Sequence, residues 1–149
     1  MKRVLLLAFF LVLIFNLFSR TEHSFAEEDR YKIVVEESFY SVAPKNEERF
    51  LEIFKTKMFP FWKEIKNMGL IEGDIKMYSQ RIHTLKPRWS YKTVVRFRNY
   101  AAIDKWLEKR EEIFNRLFPN EGGYKELGKG IKSITEEHWD EFIREIPLE

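Results

Sequence analysis

The chain has 149 residues, a formal net charge of +2 and no cysteine. Without cysteine it forms no disulfide and offers no thiolate as a nucleophile or metal ligand. The excess of positive charge lies within residues 1–26, because the remaining residues contain equal numbers of acidic and basic side chains. Nucleic-acid binding relies on a clustered basic face, so we expect no nucleic-acid partner.

Residues 1–26 have the pattern of a secretory signal peptide. A short basic start is followed by an apolar run over residues 4–18, and the segment ends with small residues at the positions that a signal peptidase reads, Ser24 and Ala26. We therefore predict export and a mature domain of residues 27–149 that is secreted or periplasmic. The alternative is an uncleaved membrane anchor, although a spanning helix needs about 20 apolar residues and this run is shorter. Apart from this segment we expect no membrane contact.

Cleavage after Ala26 predicts that the exported protein begins at Glu27. An intact-mass measurement on protein from the exported fraction should show the loss of residues 1–26. A mature protein that retains Met1 would instead identify the segment as an anchor.

The mature part contains alternating strand and helix patterns. Apolar and β-branched residues predict strands over residues 31–42, 70–79 and 90–98. Apolar residues at three- and four-residue spacing predict helices over residues 47–68 and 99–117.

Three residues should shape these helices. Pro60 lies inside the first helix and lacks an N–H group, so we expect a kink or a break there. Gly69 suits the left-handed conformation that ends a helix. Asn99 is a suitable N-cap for the second helix.

The last part of the chain has an ambiguous pattern. We assign no regular element to the glycine-rich segment 122–130. In residues 133–147 the apolar side chains have helical spacing, at Trp139, Phe142, Ile143 and Ile146. Taken alone, this stretch predicts a helix.

The order strand, helix, strand, strand, helix and a last element is that of ferredoxin-like domains. Several stretches resemble the dimeric α/β-barrel superfamily, which includes antibiotic-biosynthesis-type monooxygenases and NIPSNAP-like proteins. These stretches are the Pro60-Phe61-Trp62 step, the turn Met68-Gly69-Leu70-Ile71, and the sequences WSYKTVVRF and NYAAIDKWL. The resemblance spans residues 31–146.

The resemblance implies an α+β, ferredoxin-like βαββαβ domain, with an antiparallel four-stranded sheet and two helices on one face. Residues 134–146 would then form the fourth strand, against their local helical pattern. Members of this superfamily typically dimerise through their sheets, and those with activity use a pocket between sheet and helices. Their catalytic residues differ from family to family, so no residue role carries over.

Alternation along the strands predicts which side chains the helices cover. We expect the covered face to carry Ile33, Val35, Val95 and Phe97. The opposite face would carry Val34, Tyr40, Val42, Tyr78 and Val94 together with Glu36, Lys76 and Arg96. Such a face is too apolar for solvent, so we predict a homodimer in which Glu36 meets Arg96 or Lys76. The alternative is a monomer in which segment 122–130 folds over this face.

His138 is the candidate catalytic residue, because it lies among four carboxylates, those of Glu136, Glu137, Asp140 and Glu141. The alternatives are a structural or surface histidine, a haem ligand or a metal ligand. Its spacing matches no familiar zinc motif, so we expect no metal. The other histidine of the mature part, His83, should be solvated in the loop over residues 80–89.

Three residues are candidates for ligand binding. Trp62, beside Pro60, and Tyr91, on the third strand, would line an apolar pocket. Arg96, in the middle of the same strand, would anchor an acidic ligand. Each has a structural alternative, as a core aromatic residue or as part of a polar network at a dimer interface.

These observations favour an exported, cofactor-free domain that binds a small apolar or weakly acidic molecule, with its chemistry undefined. The first alternative is a cofactor-independent monooxygenase-like or haem-handling enzyme on the same fold. The second is a structural dimer without a ligand. The sequence contains no nucleophile elbow, phosphate-binding glycine loop or dinucleotide fingerprint.

Overall fold

A computed structural model of the chain describes residues 32–80, 88–144 and 146. The strands in these residues are β1 (Val34–Val42), β2 (Lys76–Ser79), β3 (Tyr91–Phe97) and β4 (Thr135–Arg144). The predicted signal peptide, and His83 in its loop, lie outside the described residues.

Helices connect the strands. After a short 3-10 turn at Pro44–Asn46, α1 (Glu47–Ile53) and α2 (Phe59–Asn67) are joined by a π-helical stretch at Phe54–Met58. The remaining two helices are α3 (Tyr100–Leu117) and α4 (Tyr124–Ile134). Within residues 32–80 and 88–144, no helix is long and apolar enough to cross a membrane.

The strands form one antiparallel sheet in the order β2-β3-β1-β4. The two central strands are β3 and β1, and the edge strands are β2 and β4. This is the strand order of ferredoxin-like domains. The helices pack against one face of this sheet, and the hydrophobic core lies between the helices and the sheet. The predicted α+β, ferredoxin-like fold class is confirmed.

The C-terminal residues form a strand and not a helix. β4 pairs with the whole of β1, from Val42 opposite Thr135 to Val34 opposite Arg144. This pairing satisfies the backbone groups on the second edge of β1, which outweighs the local helical spacing of the apolar residues. The strand that the family resemblance implied is thereby confirmed.

The chain accommodates Pro60 without breaking the helical path. Pro60 is the second residue of α2, and the π-helical stretch Phe54–Met58 directly precedes that helix. A π turn is wider than an α turn, so the proline ring has room where it would otherwise clash with the preceding turn. The expected kink therefore takes the form of a π-helical stretch.

The N-cap of α3 forms as predicted. The Asn99 side-chain oxygen accepts a hydrogen bond from the backbone N–H of Ala102 at 2.9 Å. This bond satisfies one of the free donors at the start of the helix.

Helix α4 was not predicted. Gly128 and Gly130 lower the helix propensity of this segment. Packing compensates, because Ile131 and Ile134 are buried in the core and Leu127 packs against it. The segment therefore forms a third helical region on the covered face of the sheet, beside the two predicted ones. The implied number of two helices on that face is thus too low.

The predicted orientation of β1 is wrong. Val34 lies opposite Phe97, and both belong to the core between sheet and helices. Val35 lies opposite Arg96, on the face that the helices leave open. The strand sequence VVEESFYSV has apolar residues on both faces, so alternation alone does not decide which face is covered.

The corrected orientation changes the position of a charged residue. Glu36 faces the helices, together with Tyr40 and Val42. Arg96 and Lys76 lie on the opposite face of the sheet. The predicted contact of Glu36 with either of these cations is therefore wrong.

Candidate functional site

A cavity of about 270 Å³ lies between the sheet and the helices. Its sheet side is formed by two neighbouring strands, with Glu36, Ser38 and Tyr40 from β1 and His138 and Asp140 from β4. Its helix side is mainly apolar and is formed by Met58, Trp62, Trp106, Tyr124, Leu127 and Ile131. Gly128 and Lys132 of α4 complete the lining. The polar groups are thus concentrated on the sheet and the aromatic rings on the helices.

Glu36 is a buried acid on the sheet side of this cavity. Glu36 is only 5% exposed. The Ser38 hydroxyl donates a hydrogen bond to its Oε1 at 3.2 Å. Its other oxygen, Oε2, is buried and has no hydrogen-bond partner among the described residues. Burial in the protein interior, reinforced by the negative charge of Asp140, raises the pKa of Glu36 to about 7.

His138 and Asp140 form a second polar pair beside Glu36. His138 Nε2 lies 3.2 Å from Asp140 Oδ1. The imidazole also stacks on the ring of Tyr40, with the centroids 4.5 Å apart and the planes 8° from parallel. Burial alone would raise the pKa of Asp140, but its hydrogen bonds with His138 and Ser38 outweigh that effect and lower it.

Ser38 connects the two carboxyl groups. Its hydroxyl donates to Glu36 Oε1 at 3.2 Å, and it lies opposite Asp140, where it helps to lower the pKa of that carboxyl. A serine hydroxyl has one proton, so it donates to one carboxylate at a time. Because the pKa of Glu36 is about 7, both of its protonation states are populated near neutral pH.

The aromatic side of the cavity contains a second unsatisfied polar atom. The rings of Trp62 and Trp106 pack at a centroid distance of 5.2 Å and an angle of 30°. Trp106 Nε1 is buried without a hydrogen-bond partner among the described residues. Tyr124 lies on the same side, and burial raises the pKa of its hydroxyl to about 12. The indole N–H donor of Trp106 thus has no acceptor among the described residues.

The structure separates the residues that the sequence singled out. Trp62 and His138 both line the cavity. Tyr91 is buried in the core and stacks on Phe50 at 5.1 Å, outside the cavity lining. Arg96 lies on the open face of the sheet. Their roles in catalysis or binding stay predictions.

Sequence reasoning missed most of the polar site. Ser38, Asp140 and Trp106 were not singled out as site residues, and Glu36 was placed on the wrong face. The signal that finds Ser38 and Asp140 is the pairing register, which sets them opposite each other on the face that carries Glu36. No three His, Cys, Asp or Glu side chains come together as metal ligands within the described part of the chain.

Comparison with known proteins supports the fold. No family model matches the chain, and no curated protein matches it. A NIPSNAP family protein from Agrobacterium tumefaciens superposes with a TM-score of 0.54 at 9% identity, covering 80% of this chain and 90% of that one. For a dimeric ferredoxin-like protein from an uncultured marine organism the TM-score is 0.53 at 12% identity, over 83% and 99% of the two chains. A NIPSNAP-like domain protein from Burkholderia xenovorans superposes with a TM-score of 0.52 at 12% identity, covering 80% of this chain and 90% of that one.

These likenesses define the class of fold. The chain is a ferredoxin-like α+β domain with the architecture of NIPSNAP and dimeric ferredoxin-like proteins, as the resemblance implied. Identities this low show a shared fold and no shared chemistry.

The buried Glu36 predicts a specific dependence of stability on pH. Its pKa is about 7 in the folded protein against an ordinary value of 4.5, so the stabilisation by its bound proton is complete below pH 4.5 and is lost as the pH rises through 7. Since one pKa unit corresponds to about 1.4 kcal/mol, the contribution of Glu36 should fall by about 2–3 kcal/mol between pH 5 and pH 8.

Urea unfolding of the wild type and of Glu36→Gln at the two pH values measures this contribution. Between pH 5 and pH 8, the free energy of unfolding of the variant should rise by about 2–3 kcal/mol relative to that of the wild type. Equal pH dependence in the two proteins would show that Glu36 has an ordinary pKa.

Proposed function

We propose that this chain is an exported domain that binds a small, largely apolar molecule in the cavity between its sheet and its helices. The observation that carries the proposal is a cavity whose lining includes, on each side, a residue with a buried and unsatisfied polar atom, Glu36 Oε2 and Trp106 Nε1. Export rests on the signal-peptide pattern of residues 1–26. The cavity volume of about 270 Å³ is close to the lower end of ligand pockets, which start at about 300 Å³.

A packing defect does not account for this arrangement. Protein interiors are close-packed, and empty cavities are normally apolar. An unsatisfied buried polar group costs about 1–3 kcal/mol, and apolar residues at these positions would avoid that cost. A ligand that offers partners to both atoms removes the penalty when it binds. This supports a binding site over a filled structural core.

The glycines of α4 allow a matched test of the binding site. Gly128 lines the cavity, whereas Gly130 does not, and a Cβ atom at either position meets nothing within 4 Å. Gly128→Leu should narrow the cavity from its exposed side and weaken binding of a small neutral aromatic probe, 2-phenylethanol, by about tenfold, equivalent to about 1.4 kcal/mol. Gly130→Leu should bind like the wild type.

Saturation-transfer NMR with the purified mature protein measures the probe affinity. Equal affinities of the wild type and Gly128→Leu would place the probe outside the cavity. If the wild type binds neither this probe nor related small aromatic compounds, the structural dimer without a ligand becomes the better description.

We further propose that the domain forms a homodimer through the open face of the sheet. Apolar side chains are exposed there, including Tyr78 and Ile143, each 44% exposed. Lys92 and Glu37 form an ion pair on the same face, with Nζ and Oε1 3.0 Å apart. A two-fold partner with the same surface covers such a mixed patch. A protein of similar fold that is described as a dimeric ferredoxin-like protein supports dimer formation.

Val94→Glu should separate the dimer. Val94 lies on the open face directly opposite Glu37, so the variant places a second carboxylate at the contact and buries it without a partner. Light scattering at micromolar concentration should give the mass of two mature chains for the wild type and of one for the variant. Leu107→Glu, at an exposed position on α3, should remain dimeric. A wild-type mass of one chain would contradict the proposal.

A further inference from the structure

We infer that the ligand of this cavity is an amine, bound as its ammonium form with the charged group against Glu36 and its apolar body against the rings of Trp62 and Trp106. The inference rests on the proposed binding function and names the chemical class of the ligand. Three features of the lining carry it: the free carboxylate oxygen of Glu36, a single and exposed lysine as the only lysine or arginine among the described lining residues, and the aromatic rings.

The free oxygen of Glu36 points to a donor. Ser38 satisfies Oε1, whereas Oε2 is buried without a partner among the described residues. A neutral hydroxyl could donate a hydrogen bond to Oε2. It would, however, leave the buried negative charge of ionised Glu36 uncompensated. An ammonium group supplies the donor and the opposite charge together, so it removes both penalties.

The charges around the cavity favour a cation over an anion. Glu36 and Asp140 both line it; Asp140 is paired with His138 at 3.2 Å, so it is chiefly the charge of ionised Glu36 that raises the energy of an anion placed there. Lys132 is the only lysine or arginine among the described lining residues, and it is exposed to solvent. The other titratable groups facing Glu36 are His138 of β4, Tyr40 of β1 and Tyr124 of α4.

The aromatic rings suit the same ligand. Trp62, Trp106, Tyr40 and Tyr124 all line the cavity. The faces of aromatic rings carry partial negative charge and attract ammonium groups within about 6 Å of the ring centre. The rings also provide the apolar surface that buries the rest of the molecule. A small amine with a hydrocarbon or aromatic body therefore matches both sides of the cavity.

Trp106 adds a second requirement. Its Nε1–H group is a donor only, and it is buried without a partner in the described part of the chain. A ligand oxygen or a ligand-bound water that accepts this hydrogen bond would complete the site. We therefore expect amines that carry an acceptor on their body to bind more tightly than plain aryl-alkyl amines.

Three probes of similar size separate the possible charges of the ligand: 2-phenylethylamine, 2-phenylethanol and 3-phenylpropanoate. Isothermal titration of the wild-type mature protein at pH 8 should show the amine binding at least about tenfold more tightly than the alcohol. The carboxylate should show no measurable binding.

The pH dependence identifies the group that holds the amine. Glu36 has a pKa of about 7 in the empty site, so at low pH the amine must displace a proton. Its affinity should fall by about 30-fold from pH 8 to pH 5.5, whereas that of the alcohol should change little. Glu36→Gln should remove both the preference for the amine and this pH dependence, and it should still bind the alcohol.

Glu37→Gln is the matched control, because Glu37 is the next residue of β1 and lies on the opposite face, paired with Lys92. It should bind all three probes as the wild type does. Equal or tighter binding of the alcohol by the wild type would overturn the amine inference and leave the proposed binding function intact. The amine inference would also fail if Glu36→Gln kept the pH dependence and His138→Gln lost it. If none of the probes binds, the proposed function itself fails.

Discussion

The pairing of β4 with β1 is the contact on which the candidate site depends. β1 is hydrogen-bonded on both edges, to β3 on one side and β4 on the other. In this register Ser38 lies opposite Asp140 and Tyr40 opposite His138. Adjacent residues of a strand point to opposite faces, so a slip of β4 by one residue would move His138 and Asp140 to the open face, away from Glu36. Glu36 and Asp140 therefore come together only because the C-terminal segment pairs in this one register.

The elements that could be predicted from the sequence are those whose local pattern and tertiary role agree. β3 alternates cleanly, with one face buried and the other partly exposed, and α3 has an apolar stripe and an N-cap at Asn99. β4 and α4 could not be predicted locally. β4 has helical spacing but completes the sheet edge, and α4 contains two glycines but buries Ile131 and Ile134. In both cases a long-range contact outweighs a local preference.

The candidate site was predictable only in part, for the same reason. Trp62 and His138 stood out individually, as an aromatic residue beside a proline and as a histidine among acids. Glu36 did not, because β1 has apolar residues on both faces and the alternation pattern fits either orientation. The polar cluster depends on strand order and register, which bring together residues about 100 positions apart in the sequence, such as Ser38 and Asp140.

Two neighbouring acids on β1 show how differently the two faces of the sheet are used. Glu37, on the open face, is paired with Lys92 at 3.0 Å. Glu36, one residue earlier and more deeply buried, receives a hydrogen bond from Ser38 but has no ion pair among the described residues. Burial without a cation is what raises its pKa, and it makes the folded protein less stable once Glu36 is ionised. Replacing a buried charge by an apolar residue is often stabilising. The carboxyl group of Glu36, which lies beside a cavity and aromatic rings and does not stabilise the fold when ionised, is the group on which the proposed ligand binding rests.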